Sequence, residues 1–355
     1  MSSSLTNLEL RDVTLRGFNS MPELFRCMAS LSQLQRLELT SVRVDPAATG
    51  VTTTRVGSCF GAFTLADALR HLTQLTLLSL DDLTECQLGW KHIPGPMGAA
   101  IAGLQQLQEL DLHSLNVPEA EPHTLFKQLP VSITRLTVGR AHVTFTPFQT
   151  PGLLRLTALR DLLFTRVLGV EPSVLSGCAS SLTRLTVRLA WTDSSLSALA
   201  HMLPQLQQLQ SLCLTNELYG DDAAAEVAAP QVPADDCALL LSPAKLTSLT
   251  LREVGLAPGG AQRMFAAGGG ALRELCIAGR DPDQQYSPPL TRSDLGRLAL
   301  TWPQLQQLQL VRAVAEAPAA AAAGQQLADQ GVPSSYSNEF NAGHLALAVP
   351  AVHAG

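Results

Sequence analysis

Eleven times between Leu5 and Leu310 the chain places apolar residues at the first, fourth and sixth positions of a short segment, and nothing else restricts its fold as strongly. The copies are Leu5-Leu8-Leu10, Leu34-Leu37-Leu39, Leu75-Leu78-Leu80, Leu107-Leu110-Leu112, Ile133-Leu136-Val138, Leu159-Leu162-Phe164, Leu182-Leu185-Val187, Leu209-Leu212-Leu214, Leu246-Leu249-Leu251, Leu272-Leu275-Ile277 and Leu305-Leu308-Leu310. Successive copies start between 23 residues apart (Leu159 to Leu182) and 41 apart (Leu34 to Leu75). The fourth and sixth residues share one side of an extended strand, while their neighbours, such as Glu109, Asp111 and His113, point the other way. A single strand of this kind cannot bury its own apolar side, so the copies must stack.

Between the strands the spacing turns helical, as in Leu65, Leu69 and Leu72 or Leu196, Leu199 and Leu203. Strand, turn, helix and turn, repeated, predict a parallel inner sheet with helices outside. The LxxLxL spacing, with a period mostly within or just above about 20–29 residues, resembles the leucine-rich repeat of the intracellular, ribonuclease-inhibitor-like class. That resemblance implies an α/β horseshoe solenoid of about eleven irregular repeats. A solenoid grows by adding repeats, so residues 1–312 form one unit in this reading. Insertions near 45–63, 84–100, 217–243 and 279–289 are rich in turn residues and read as loops. The third carries Glu217, Asp221, Asp222, Glu226, Asp235 and Asp236 with no base before Lys245, which predicts a solvated, mobile segment. Residues 313–355, rich in Ala, Pro and Gly, read as a disordered tail.

The chain departs from the family pattern at one position. Where the family places Asn or Cys to satisfy turn backbone, this sequence has Val13, Val42, Leu83, Leu115, Ala141, Val167, Ala190, Glu217, Val254, Arg280 and Ala313. Those backbone groups must pair otherwise. More irregular turns and varied curvature are expected.

The cysteines at 27, 59, 86, 178, 213, 237 and 276 form no CxxC pair and are odd in number, which points to free thiols in a reducing compartment. Secreted relatives close their ends with cysteine clusters, which neither end has here. No leader-like N-terminus and no spanning apolar run is present. Together these favour a cytoplasmic setting, with the cytoskeleton or ciliary axoneme as the narrower expectation. With three lysines and a formal charge of -6, no basic stripe for nucleic acid stands out. Leu5 already belongs to a repeat core and the Ala-rich tail is a poor cover for the last one, so association through uncapped ends is expected.

No GxSxG, GxxxxGK[ST], HExxH or helix-opening GxGxxG occurs, so neither catalysis nor a cofactor is expected. The same inward position in successive strands forms a column about 4.8 Å in repeat. One group of such positions gathers Asp81, Asp82, Glu109, Asp111 and His113, and a second gathers Arg135, Arg140, Arg166, Arg184 and Arg188. One reading is a charge-complementary surface that steers a partner protein and fixes its register. The other is an internal ladder, because Glu109, Arg135, Asp161 and Arg184 alternate in sign and such cross-strand pairs stabilise a sheet by about 0.2–1 kcal/mol each. Arg140, Arg166 and Arg188 lie in other columns and are the better docking candidates. Glu109, Asp111 and His113 with Asp81 offer metal-ligand chemistry, but alternate residues on a strand lie roughly 7 Å apart, too far to converge on one ion. Cys213 and Cys276 are inward-facing without an adjacent histidine and read as inert. Trp90 and Tyr286 on loops are candidate anchors. The implied role is non-catalytic protein binding. Its relatives' narrower roles are substrate receptor of an F-box ubiquitin ligase, a reading that requires an N-terminal part missing ahead of Leu5, or cytoskeletal scaffold.

Overall fold

The computed structural model describes residues 4–15, 21–44, 64–81, 94–113, 126, 128–139, 144–145, 151–167, 169–189, 191–216, 230–268, 270–278, 302, 304–311 and 344–348. The chain divides into two compact units, Met1–Val170 with Val174–Cys178, and Glu171–Ser173 with Ala179–Gly355.

In the first unit the repeat strands are β1 (Asn7–Arg11), β2 (Arg36–Thr40), β3 (Leu77–Asp81), β4 (Glu109–Leu112), β5 (Arg135–Gly139) and β6 (Asp161–Val167). Each pairs in parallel with the next in chain order, and the register keeps equivalent repeat positions opposite one another. Leu8, Leu37, Leu78, Leu110, Leu136 and Leu162 form one file, and Leu10, Leu39, Leu80, Leu112, Val138 and Phe164 the next. From β2 onward both files are buried, whereas Leu8 and Leu10 are only half-buried and Leu5 is 42% exposed. Burying one leucine stabilises by about 1.5–3 kcal/mol, so the repeated leucine determines the register: a one-residue slip would turn a whole file to solvent.

The outer side of this unit carries α1 (Met21–Ala29), α2 (Leu65–Leu69) and α3 (Pro94–Ala102), packed in succession. Thr64 starts α2 with a capping box: its hydroxyl accepts from the Asp67 N–H at 3.2 Å, and Asp67 accepts from the Thr64 N–H at 2.9 Å. Helix α3 corrects the loop expected over 84–100, of which residues 94–100 are described. Pro94 and Pro96 lie in its first turn, where backbone N–H groups have no intrahelical acceptor and proline is tolerated. Met97, Ala100 and Ile101 then bury one helical face, with Leu104 buried just beyond the helix end. In the core, Phe126 and Phe145 meet edge to face and Phe145 and Phe164 pack at a tilt, with ring centroids 5.3 and 4.7 Å apart.

The second unit repeats the plan with β7 (Arg184–Leu189), β8 (Ser211–Asn216), β9 (Ser248–Arg252), β10 (Glu274–Ala278) and β11 (Gln307–Val311), parallel and again in register. A last strand, β12 (His344–Ala348), runs antiparallel to β11. It belongs to the segment expected to be a disordered tail. The alternating HLALA sequence satisfies the edge of β11 with backbone hydrogen bonds, a use that the Ala-rich composition around it conceals. Outside lie α4 (Asp193–Met202) and α5 (Gly260–Ala267), with a 3-10 turn at Cys237–Leu241 packed against both.

That turn corrects the solvated loop expected over 217–243, of which residues 230–243 are described. Asp236 is buried and accepts from Ser197 at 2.5 Å, with His201 Nε2 at 3.3 Å, and Asp235 pairs with Arg263. The partners come from α4 and α5, far away in sequence, so counting bases along the loop missed them. Insertions 45–63 and 279–289, with Trp90 and Tyr286, lie outside the described residues.

The missing asparagine ladder is replaced by backbone pairing between repeats. Asp12, Ser41 and Glu253, just after their strands, and Arg166, next to the end of β6, take positive φ of 51°, 49°, 55° and 55°. This turn sends the N–H of Asp12 to the Thr40 carbonyl at 2.9 Å, Ser41 to Asp81 at 3.1 Å and Glu253 to Ala278 at 2.7 Å. The apolar residue at the former asparagine position is then free to enter the core, and Val42, Val167 and Val254 are buried. Two-residue parallel strands follow, pairing Thr14–Leu15 with Arg43–Val44, Thr144–Phe145 with Gly169–Val170, and Gln231–Val232 with Gly255–Leu256. Asn216, one place earlier in its repeat, accepts from the Trp191 N–H at 3.1 Å.

Candidate binding face

The sheet face turned away from the helices presents the polar residues that alternate with the buried leucines. In the first unit the inward positions are largely engaged in ion pairs. Arg135 lies between Glu109 and Asp161, with N–O distances of 3.4 and 3.9 Å. The strand register brings these three together, since Glu109 faces Arg135 and Arg135 faces Asp161. Asp111 meets His113 Nδ1 at 3.0 Å along the same chain segment. A second cluster, which the candidate residues did not include, joins Arg11 to Glu38 at 2.6 Å and to Glu9 at 2.9 Å, with Arg36 at 3.7 Å from Glu38. The Arg11 guanidinium is held above its ordinary value by the Glu38 hydrogen bond first and then by the Glu9 charge. These pairs run along a strand or diagonally between strands, since register places Glu38 opposite Glu9 and Arg11 opposite Thr40, so a reading by columns passes over them.

Of the other candidates in this unit, Asp81 ends β3, and Arg166 follows Thr165 in the left-handed turn. Asp82 and Arg140 lie outside the described residues. Among the described residues no three His, Cys, Asp or Glu side chains come together as a metal site.

Arg184 and Arg188 belong to the second unit, exposed on β7. Register places Arg188, Thr215 and Arg252 side by side, and Arg184, Ser211, Ser248 and Glu274 in the next column but one. Between them runs Thr186, Cys213, Thr250 and Cys276. Burial pushes the Cys276 thiol up, opposed by the charge and hydrogen bond of Arg252. Arg252 was missed by the sequence reading because Thr215 separates it from Arg188 in the column.

Two other features carry structural work. A groove of about 500 Å³ runs along the strand-entry edge of the first unit, lined by Thr76, Gln105, Gln108, Ser132, Thr134 and Arg160. Three of its hydroxyls donate to carbonyls, Thr76 to Gln35 at 3.1 Å, Ser132 to Leu107 at 2.7 Å and Thr134 to Gln108 at 3.2 Å, which marks it as a seam between repeats. On the outer side, Ser197 and His201 both address Asp236 and clamp the 3-10 turn against α4. The buried thiols of Cys178 and Cys237 are pushed up by burial to about 11 and about 12, which makes them inert at neutral pH.

One strand per repeat, parallel pairing in constant register and helices confined to one face define a leucine-rich repeat α/β solenoid. No protein-family model and no curated protein matches the sequence. Solved structures similar to this chain include an internalin (inlF) from Listeria monocytogenes, at 15% identity over 80% of this chain and 86% of that one, with a TM-score of 0.35. An internalin C2 (inlC2) from the same bacterium is similar at 17% identity over 77% of this chain and 79% of that one, with a TM-score of 0.34. TLR13, in a complex with the RNA ssRNA13, is similar at 17% identity over 80% of this chain but 36% of its own, with a TM-score of 0.40. No helix among the described residues is long and apolar enough to cross a membrane.

Proposed function

We propose that this chain is a non-catalytic interaction module that binds a partner protein on the inner faces of its sheets. The observation that carries the reading is the strict register, which arrays polar side chains in columns on a hydrogen-bonded support. Such a surface is ordered before a partner arrives, so docking costs little conformational entropy. Steric blocks on the two faces test it. Ser79→Trp with Thr250→Trp fills inner positions, and Arg70→Trp with Gln262→Trp fills exposed outer ones. Quantitative proximity labelling in the native cell should show neighbours lost from the inner-face variant and kept by the outer-face variant. Equal loss or equal retention would overturn the inner-face assignment. Ligase adaptors among the lost neighbours would favour the substrate-receptor role in the cytoplasm, and axonemal or cytoskeletal proteins the scaffold role.

A further inference from the structure

The inner positions of the two units differ in charge. Those of β1–β6 hold Glu9, Glu38, Asp81, Glu109, Asp111 and Asp161 against Arg11, Arg36 and Arg135. Those of β7–β11 hold Arg184, Arg188 and Arg252 against Glu274, with serines, threonines, cysteines and glutamines over most of the rest. A basic patch in a chain of net charge -6 is a local arrangement and owes nothing to composition.

We propose that Arg184, Arg188 and Arg252 form a docking site for an acidic peptide segment of the partner protein. The proposal rests on the inner-face reading above and specifies its chemistry. All three arginines are exposed. Arg188 and Arg252 stand in one column two strands apart, about 10 Å, and Arg184 lies four residues before Arg188, about 13 Å away. Side chains on alternate residues of an extended peptide are separated by about 7 Å, so a run of three to four such carboxylates spans the patch. Guanidinium donates two parallel hydrogen bonds to a carboxylate in a bidentate fork. Half-exposed Ser211, Thr215, Ser248 and Thr250 supply further donors on the floor between the arginines. Register places Arg252 diagonally across from Cys276 on the next strand, close enough for the guanidinium charge to act on that thiol. Single-stranded nucleic acid is the poorer occupant. The described inward positions of β7–β10 carry no aromatic platform for bases, and the overall negative charge gives no long-range attraction for a polyanion.

The full chain can be titrated with a fluorescein-labelled peptide alternating Asp and Ser, and with its Asn-Ser counterpart, at low salt. The Asp peptide should bind at least about tenfold more tightly than the Asn peptide, a difference of about 1.4 kcal/mol. Arg184→Gln/Arg188→Gln/Arg252→Gln should abolish that preference, while Arg11→Gln/Arg36→Gln should alter it less than about twofold. A second measurement needs no variant. Alkylation by anionic iodoacetate relative to neutral iodoacetamide should be several-fold more favourable at Cys276 than at exposed Cys27, and the Asp peptide should slow it. Equal ratios at the two cysteines together with no Asp-peptide preference would overturn the proposal, as would tighter binding of a single-stranded RNA of equal length. If the peptide fails but the inner-face tryptophans still remove cellular neighbours, only the acidic chemistry falls. If the tryptophans remove nothing, the underlying reading falls with it.

Discussion

At Gly177 the backbone passes so close to Leu154 that an added Cβ would overlap the Leu154 carbonyl group. Both neighbours are backbone, so the clash cannot be relieved by a side-chain rotation, and overpacking of this kind costs about 1–3 kcal/mol. Gly177→Ala should lower the urea midpoint accordingly, and an unchanged midpoint would mean that the two segments part freely. Arg135 poses the opposite case. Its side chain is 54% exposed and its acidic partners stand 3.4 and 3.9 Å away, so solvent screens the ladder to about 0.2–1 kcal/mol. Arg135→Met should destabilise by less than about 1 kcal/mol, with the difference shrinking in concentrated salt as screening removes what the ladder contributed. A loss that is large or insensitive to salt would show that Arg135 does something other than pair with Glu109 and Asp161. The ladder was legible in the sequence because parallel, in-register strands place equivalent positions side by side. Gly177 was not, because close approach of two backbones leaves no spacing to read.

Among the elements, helix α2 is five residues long and depends on its cap more than on propensity. Thr64→Ala removes the hydroxyl that holds Asp67 and should cost about 1 kcal/mol, seen as a shifted denaturation midpoint. Hydrogen bonds from the Thr64 N–H and hydroxyl, aided by the charge of Arg70, hold the Asp67 carboxyl below its ordinary value. A carboxyl depressed in the folded state stabilises above its unfolded pKa, and that contribution disappears as pH falls through the folded one. Stability curves of wild type and Asp67→Asn should therefore lie furthest apart above about pH 5 and converge as the pH falls below about 4. Curves that stay parallel throughout would remove the carboxylate from the cap. The leucine spacing of α2 and α4 marked both helices in the sequence. Helix α3 and the 3-10 turn at Cys237–Leu241 escaped it. The first hides behind prolines that serve as helix starters, and the second is held by His201 and Arg263 through contacts that only the folded chain brings together.

For the molecule as a whole, each strand within a unit hydrogen-bonds only to its neighbours in the stack, so stability is a sum of repeats and their interfaces and need not be lost in one step. The period made this architecture legible, while the replacement of the asparagine ladder by left-handed turns could be inferred only as a need and not as a solution. Local stability has a measurable consequence. Leu37 is fully buried between Leu8 and Leu78 in the first unit, and Leu37→Ala should cost about 2–5 kcal/mol there. Two of the three tryptophans, Trp191 and Trp302, lie buried in the second unit. In a Trp90→Phe background, fluorescence then reports that unit alone while far-UV circular dichroism reports the whole chain. Leu37→Ala should move the early part of the dichroism transition to lower urea and leave the fluorescence midpoint in place. If both probes shift together by the same amount, the chain unfolds as one cooperative block, and the additive, repeat-by-repeat account of its stability is wrong.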